Sequence, residues 1–263
     1  MEGKKLNAAR FTGFADIYEE ARPAVPGYPV EIIKNYLGRT PKVVIDLGCG
    51  TGLSTAIWRG NSEEVIGIEP SEDMLAVAKK KEGNGCTFLQ AFSDHTGLEN
   101  ELADVVVCSQ SFHWMEPVQT LQEVNRILKQ DGIFAAIDYD WPPVCNWEAE
   151  LAYKQLFDKV REIEKTYLKN SYVRYDKNFH LQNIKDSKFF RYTREIVFVN
   201  QETCTAKRFI GIALSQGSLQ TILKRRPELI QDEMKDFEEK IKEIFGEDIF
   251  RMDFCYRMRI GIK

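Results

Sequence analysis

The sequence predicts an α/β fold built on a mostly parallel sheet, and three observations lead there. Between residues 42 and 140, short apolar runs rich in branched residues alternate with helical stretches. One of these runs opens directly into a loop with glycine at every second position. Hydrophobic residues make up 43% of the 263, enough for a sizeable core. The length fits one α/β unit with an added cap better than two full domains.

The runs are Val43-Val44-Ile45, Val65-Ile66-Gly67-Ile68, Thr87-Phe88-Leu89, Val105-Val106-Val107 and Ile133-Phe134-Ala135-Ala136-Ile137. Each is too short for a helix and reads as a strand buried on both faces. Between them, residues 53–58, 71–81 and 118–129 read as helices. Ser71 is the expected N-cap of the second, with Asp73 in its first turn matching the helix dipole. Upstream, residues 8–21 read as a helix. Pro23, Pro26 and Pro29 then predict a turn-rich link.

Downstream, Trp141-Pro142-Pro143 breaks the alternation. An amphipathic helix is expected over 147–169, a strand over 189–199, a helix over 227–245 and a strand over 252–262. Ile230, Met234, Phe237, Ile241 and Ile244 share one face of that last helix. Its charges read as a solvated face. The expected organisation is a single domain over 1–263. It has an N-terminal helical cap (1–41), a core (42–140), an insertion or lid (141–188) and C-terminal strands and helices completing the sheet (189–263).

The chain carries 36 basic and 40 acidic residues, a net charge of −4, with no long basic run. That lacks the electrostatic footprint of a nucleic-acid binder. No stretch is long and apolar enough to span a bilayer. The first ten residues are polar and lack the apolar segment of a signal peptide. The expectation is a cytoplasmic protein with neither nucleic-acid nor membrane partners. The six cysteines are scattered without a C-x-x-C pair, which argues against a zinc site or a disulfide framework.

The strongest local signal is Asp46-Leu47-Gly48-Cys49-Gly50-Thr51-Gly52, a strand end leading into a loop and then a helical stretch. Glycine lets the backbone turn sharply and lets a ligand touch the main chain. A helix start offers free N–H groups to an anion. Glu69 ends the next strand, 21 residues beyond Gly48, a distance that suits a carboxylate gripping two ribose hydroxyls. The spacing is G-x-G-x-G, not the G-x-G-x-x-G of dinucleotide sites. Asp46 at the loop mouth would repel a pyrophosphate and favour an ammonium or sulfonium.

These residues resemble the first motif of class I methyltransferases. Glu69-Pro70-Ser71, with Met74 and Leu75 behind it, resembles their second motif. Gln90-Ala91-Phe92-Ser93-Asp94 followed by Thr96-Gly97-Leu98 resembles the third. Ser109-Gln110-Ser111-Phe112-His113-Trp114 resembles the end of the fourth strand in the small-molecule type 11 group, which includes the trans-aconitate methyltransferases. The likeness covers 42–140 and extends to Phe14, Tyr18, Arg22-Pro23 and Tyr28-Pro29, where extra residues separate the two halves of the family pattern.

The resemblance implies a Rossmann-like sheet of seven mostly parallel strands, with helices on both faces, a helical cap and an antiparallel last strand. It implies S-adenosyl-L-methionine as cofactor, a small-molecule acceptor (carboxylate, hydroxyl or amine) and no metal. The expected cofactor contacts are Tyr18, Arg22, Asp46, Gly48, the backbone of Cys49, Gly50, Gly52, Glu69, Pro70, Met74, Ser93, Asp94, Ser109 and Gln110. Asp94 is expected at the adenine amino group. Arg22 is a candidate for a carboxylate of cofactor or acceptor.

His113 falls just past the fourth strand, either as a general base or packed beside Trp114 to shape the pocket. His95 and His180 read as surface or structural. The lid region holds Trp141, Trp147, Tyr172, Arg174 and Tyr175. The glycine spacing and Asp46 argue against one rival, a NAD-dependent oxidoreductase, while a second, a non-catalytic regulatory or scaffold protein that binds the cofactor, stays open. A nucleic-acid amino-methyltransferase would need N/D-P-P-Y/F/W where Ser109-Gln110-Ser111-Phe112 stands.

Overall fold

The computed structural model describes residues 21–23, 25–168 and 173–263. Phe14, Tyr18, Tyr172 and nearly all of the helix expected over 8–21 lie outside the described residues.

The first described helix is α1 (Tyr28–Leu37), where a proline-rich link was expected. Pro29 stands in its first turn, where the missing N–H has no helical partner to lose. Gly38 closes the helix in the left-handed region, φ 68°. There follow β1 (Val43–Leu47), β2 (Glu64–Ile68), α2 (Glu72–Lys79), β3 (Cys86–Leu89), β4 (Ala103–Ser109), α3 (Pro117–Ile127) and β5 (Leu128–Tyr139). Then come α4 (Trp147–Tyr167), α5 (His180–Asp186), β6 (Tyr192–Cys204), α6 (Ala206–Leu214), α7 (Gly217–Arg225), α8 (Gln231–Phe245) and β7 (Phe250–Ile262).

The seven strands form one sheet in the order β3-β2-β1-β4-β5-β7-β6. All neighbours pair parallel except β7, which runs antiparallel to both β5 and β6. This is the seven-stranded arrangement the resemblance implied. Alternate residues of the central strands feed opposite faces of the sheet. Val44, Val105, Ile133 and Ala135 join one core. Ile45, Val106, Phe134 and Ala136 join the other. The chain moves from β1 outward to β3 and then crosses to β4 on the other side of β1. That reversal opens a crevice at the C-terminal ends of β1 and β4.

The segment expected as a helix over 53–58 is instead a single 3-10 turn, Thr55–Trp58. The hydroxyls of Ser54 and Thr55 both donate to Asp46, a side-chain attachment that competes with regular α-helix. Ser71 occupies the N-cap position of α2 without making a side-chain cap bond. Its backbone N–H donates to Glu69 instead. The strand expected over 189–199 begins three residues later and runs on through Asn200-Gln201-Glu202-Thr203. Its pairing with β7 is continuous from Tyr192 to Cys204, so polar side chains on an edge strand hid its length.

The cap is built from two chain segments that flank β6. Helix α4 packs against α7 and α8, and α6 packs against the same pair. Tyr153 of α4 stacks on Phe157 and meets Phe209 of α6 and Phe237 of α8 edge-on. Only the first part of the expected 141–188 insertion contributes, because α5 packs against β6, β7 and α3. Among the described residues, no helix is long and apolar enough to cross a membrane. All six cysteines are unpaired.

Candidate active site

The glycine loop is shaped by three different constraints. Gly48 has φ 69°, and a Cβ there would lie 2.6 Å from that of Ser111. Gly52 has φ 83°, and a Cβ would lie 2.9 Å from the Phe88 ring. Both glycines let the loop pack down on its neighbours. Gly50 also has a positive φ, 57°, but a Cβ there would meet nothing within 4 Å. It faces open space, and the strained backbone alone disfavours a side chain.

Two acids hold this loop. Asp46 is fully buried, and its Oδ2 accepts from Ser54 Oγ at 2.6 Å and Thr55 Oγ1 at 2.8 Å. Burial lifts its carboxyl to about 6, against the two hydroxyl bonds that favour the anion. Glu69 bridges β2 to the loop, with Oε2 accepting from the Gly50 N–H at 3.0 Å and Oε1 from the Ser71 N–H at 2.8 Å. Burial raises Glu69 to about 7, with the nearby Asp46 charge adding to the same direction and the two N–H bonds opposing it.

A cavity opens over the crevice. Gly48, Cys49, Gly50, Glu69, Pro70 and Met74 line it from the first two βα units. Ser93 and Asp94 line it from the loop after β3, and Ser109, Gln110 and His113 from the end of β4. Arg22 lines it as well; its guanidinium donates to Tyr139 Oη at 2.9 Å and the Ser215 carbonyl at 3.1 Å, and stacks on Trp141. The structure thus brings together most of the residues expected from the sequence.

Among the described residues of that set, Asp46 and Gly52 are the exceptions, since neither lines the cavity. Asp46 Oδ2 binds the hydroxyls at the start of the 3-10 turn and so braces the loop, while its buried Oδ1 has no hydrogen-bond partner. Gly52 is required by the Phe88 ring, which leaves no room for a side chain there. The Cys49 thiol tucks against Gly67 of β2, where a Cβ would come within 2.9 Å of Sγ. Burial pushes that thiol far above its usual range, which removes it as a nucleophile.

Beyond β4 lies a buried polar cluster. Asp138, near the end of β5, is 2% exposed. Its Oδ1 is 3.0 Å from Lys177 Nζ, and its Oδ2 is 3.1 Å from Arg259 Nη1 of β7. His113 Nδ1 lies 3.6 Å from Oδ1 and His180 Nε2 lies 3.5 Å from Oδ2, contacts that are electrostatic and too long or misaligned for hydrogen bonds. Burial raises the Asp138 carboxyl, but Lys177 and the two histidines outweigh it and hold the carboxyl well below its usual range. Burial, reinforced by the Lys177 charge, drops His113 to about 3. Burial also drops His180 to about 4. Both histidines are neutral over the ordinary pH range, while Asp138 is ionised. Their ligand atoms and those of Asp138 sit within 4.8 Å of one another, yet two cations already occupy the carboxylate, so a metal ion would meet like charge.

Lys177 links the segment after α4 to the strand ends beneath the cavity. Besides Asp138 it donates to Gln110 Oε1 at 2.7 Å. Gln110 is held at φ 55°, an unusual conformation for glutamine, at the strand end that faces the cavity. Two residues before Lys177, the Tyr175 N–H donates to the His113 carbonyl at 2.8 Å. This strap also brings Arg174 over the Trp114 ring. Trp147, named with the lid, is 71% exposed on the first turn of α4 and does not line the cavity. His95 is exposed, whereas His180 is wholly buried in the polar cluster.

Sequence reasoning missed Lys177, Asp138, Tyr139, Gln216 and Ser218, of which all but Asp138 line the cavity. Asp138 carried a visible signal, an acid directly following five apolar strand residues. Lys177 carried none, because it sits in a short irregular segment with no periodicity.

Comparison with known proteins fits this geometry. Residues 45–136 match the family described as Methyltransf_11, methyltransferase domain. A Saccharomyces cerevisiae protein named "Probable S-adenosylmethionine-dependent methyltransferase CRG1" is 32% identical over 168 residues, 57% of this chain and 58% of that one. The chain spans about half the length of the curated relatives it matches, 58%, 47% and 50% of the first three. Among solved structures, a type II methyltransferase assignment from Anaeromyxobacter dehalogenans superposes with a TM-score of 0.69 at 17% identity. The match covers 92% of this chain and 97% of that one. The geranyl diphosphate C-methyltransferase of Streptomyces coelicolor, solved with S-adenosyl-L-homocysteine, gives a TM-score of 0.50 at 13% identity, covering 89% of this chain and 75% of that one. Both show the same fold.

Proposed function

We propose that this chain, which carries a class I methyltransferase domain of the type 11 group at residues 45–136, transfers a methyl group from S-adenosyl-L-methionine to a small-molecule acceptor. The observation that carries the reading is the loop from Gly48 to Gly52 with Glu69 beneath it, facing a cavity that continues past β4 to the cap.

The residues fit the cofactor. Gly50 leaves its side-chain space open, and Glu69 offers a carboxylate to a pair of ribose hydroxyls. Met74 and Pro70 give apolar cover and Asp94 offers an acceptor for an amino group. Bound there, the cofactor supplies a methyl group already activated on a sulfonium. The chain's own residues have the remaining work of holding the acceptor in line and keeping water out. Gln110 and His113, fixed from behind by Lys177 and Tyr175, set one wall of the acceptor space. Tyr139, Trp141, Gln216 and Ser218 close it from β5 and the cap.

His113 shapes this wall and does not act as a base. A histidine held near 3 by burial is a weak proton acceptor, because its charged form would be desolvated. The expected result is that His113→Asn keeps most of its turnover. With cofactor saturating, the wild-type rate should show no acid limb near pH 6.5. A loss of roughly 10²-fold or more in His113→Asn, together with such a limb in the wild type, would assign proton transfer to His113.

The reading is tested with labelled S-adenosyl-L-methionine and a panel of carboxylate, hydroxyl and amine acceptors, scoring label transfer. S-Adenosyl-L-homocysteine alone should raise the melting temperature, since a ligand that binds only the native state stabilises it by mass action. Binding of NAD in preference to either sulfur ligand would overturn the assignment. Sulfur-ligand binding with no turnover on any acceptor would favour a non-catalytic binder.

A further inference from the structure

The two edges of the sheet are unlike. Strand β3 ends one side with only four residues, Cys86–Leu89, a short edge of the kind that resists pairing with other chains. Strand β6 ends the other side with thirteen, Tyr192–Cys204, in unbroken register with β7. It contains neither proline nor bulge. Among the described residues β7 is its only strand partner. Its middle exposes two valines, Val197 at 64% and Val199 at 58%.

We propose that this edge is a homodimer interface, in which two copies pair their β6 strands antiparallel about a two-fold axis at Phe198. A two-fold there places Val197 opposite the partner's Val199 and Thr193 opposite the partner's Thr203. It also places Arg194 opposite the partner's Glu202, twice over. Pairs directly opposite on one face are the units that stabilise an antiparallel sheet. Moving the axis one residue loses this match. Centred on Val197, Arg194 faces asparagine and Glu195 faces valine. Centred on Val199, Glu202 faces isoleucine and Arg194 faces a cysteine.

The surroundings agree with that axis. Arg194 is exposed and, among the described residues, has no carboxylate within ion-pair distance; its neighbours are the Tyr36 and Tyr192 hydroxyls. Glu202 is held by Arg208 of its own chain and is oriented before any partner arrives. Tyr28, half exposed, packs edge-on against Phe198 at 5.3 Å. Pairing brings this ring and its copy to one face of the joint sheet at the axis. The contact is isologous, so it closes at two copies and does not propagate.

The test uses the whole chain in sedimentation equilibrium across the micromolar range. The expected mass is twice 30.4 kDa. Arg194→Glu and Glu202→Arg each set like charges opposite one another at two places, and each alone should weaken the dimer roughly tenfold. Mixed in equal amounts, the two variants regain both opposite-charge pairs, and a mixed dimer should form with near wild-type affinity. Val197→Lys should weaken self-association without disturbing an intrachain contact, which guards against misreading the loss of the Arg208 bridge in Glu202→Arg. Circular dichroism shows that each variant is folded. A wild-type chain that stays monomeric throughout, or a dimer indifferent to all three substitutions, would overturn the proposal.

Discussion

Asp138→Ala should be among the most destabilising single substitutions in the chain. The carboxylate is the counter-charge for Lys177 and Arg259, and it is nearly inaccessible to water. Removing one member of a buried pair leaves the other charge desolvated, a loss of about 3–5 kcal/mol. Arg259 keeps Glu195 as a second partner at 2.7 Å, and Lys177 keeps Gln110, so the lower half of that range is the expectation. Thermal or urea unfolding measures it. A shift equivalent to less than about 1 kcal/mol would mean that the cluster is wetter than its burial implies. Lys177→Met should be milder for stability, because it removes a cation whose burial is itself unfavourable. It should still raise the acceptor KM, since Gln110 loses the group that holds it.

Glu69→Ala should produce a large loss of cofactor affinity. Two effects combine, because the same carboxylate anchors the Gly50 and Ser71 N–H groups and is offered to the ribose hydroxyls. Loss of a charged acceptor alone amounts to about 1.5–3 kcal/mol, up to roughly a hundredfold in dissociation constant. The wild type should also bind S-adenosyl-L-homocysteine more tightly as pH rises. Burial lifts the free carboxyl to about 7, and the ionised form is the one that accepts both hydroxyls. Affinity should therefore climb from pH 6 through about 7 and then level off, by at most tenfold per pH unit. Glu69→Gln should weaken binding and flatten that profile. A pH-independent wild-type constant would remove Glu69 from the ribose site, and an unchanged constant in a well-folded Glu69→Ala would do so independently. Gly50→Val should also abolish binding, because valine resists a φ of 57° and would project into the cavity.

The legible part of this molecule is the part with a period. The five parallel strands follow from runs such as Val105-Val106-Val107, and the loop from Gly48 to Gly52 with Glu69 follows from spacing. Spacing does not say which way a side chain turns. Asp46 and Gly52 share the loop's pattern, yet one braces it from below and the other yields to Phe88. Helix α1 was hidden because its proline reads as a break when its place in the first turn is unknown. Strand β6 was read short because Asn200 to Thr203 look like a turn, although an edge strand tolerates polar residues. The cluster around Asp138 gathers residues from β5, β7, α5, the strap and the loop after β4. No local pattern joins Asp138 to Lys177 or Arg259, and only tertiary packing does.

The position of β7 bears on how the molecule is made. As the chain emerges from the ribosome, β1 to β5 can assemble with their glycine loop as a nascent parallel sheet. Strand β6 emerges next but has no neighbour, since β7 stands between it and β5. Until Phe250–Ile262 appears, β5 presents a bare edge and Asp138 lacks the Arg259 guanidinium. Every described residue that lines the cavity precedes Phe250, so the lining of the site leaves the ribosome before the strand that braces it from behind. A chain stalled before Phe250 would carry the glycine loop and the cavity lining without the guanidinium that holds Asp138, and would leave a bare β5 edge and an unpaired β6 for chaperones to shield.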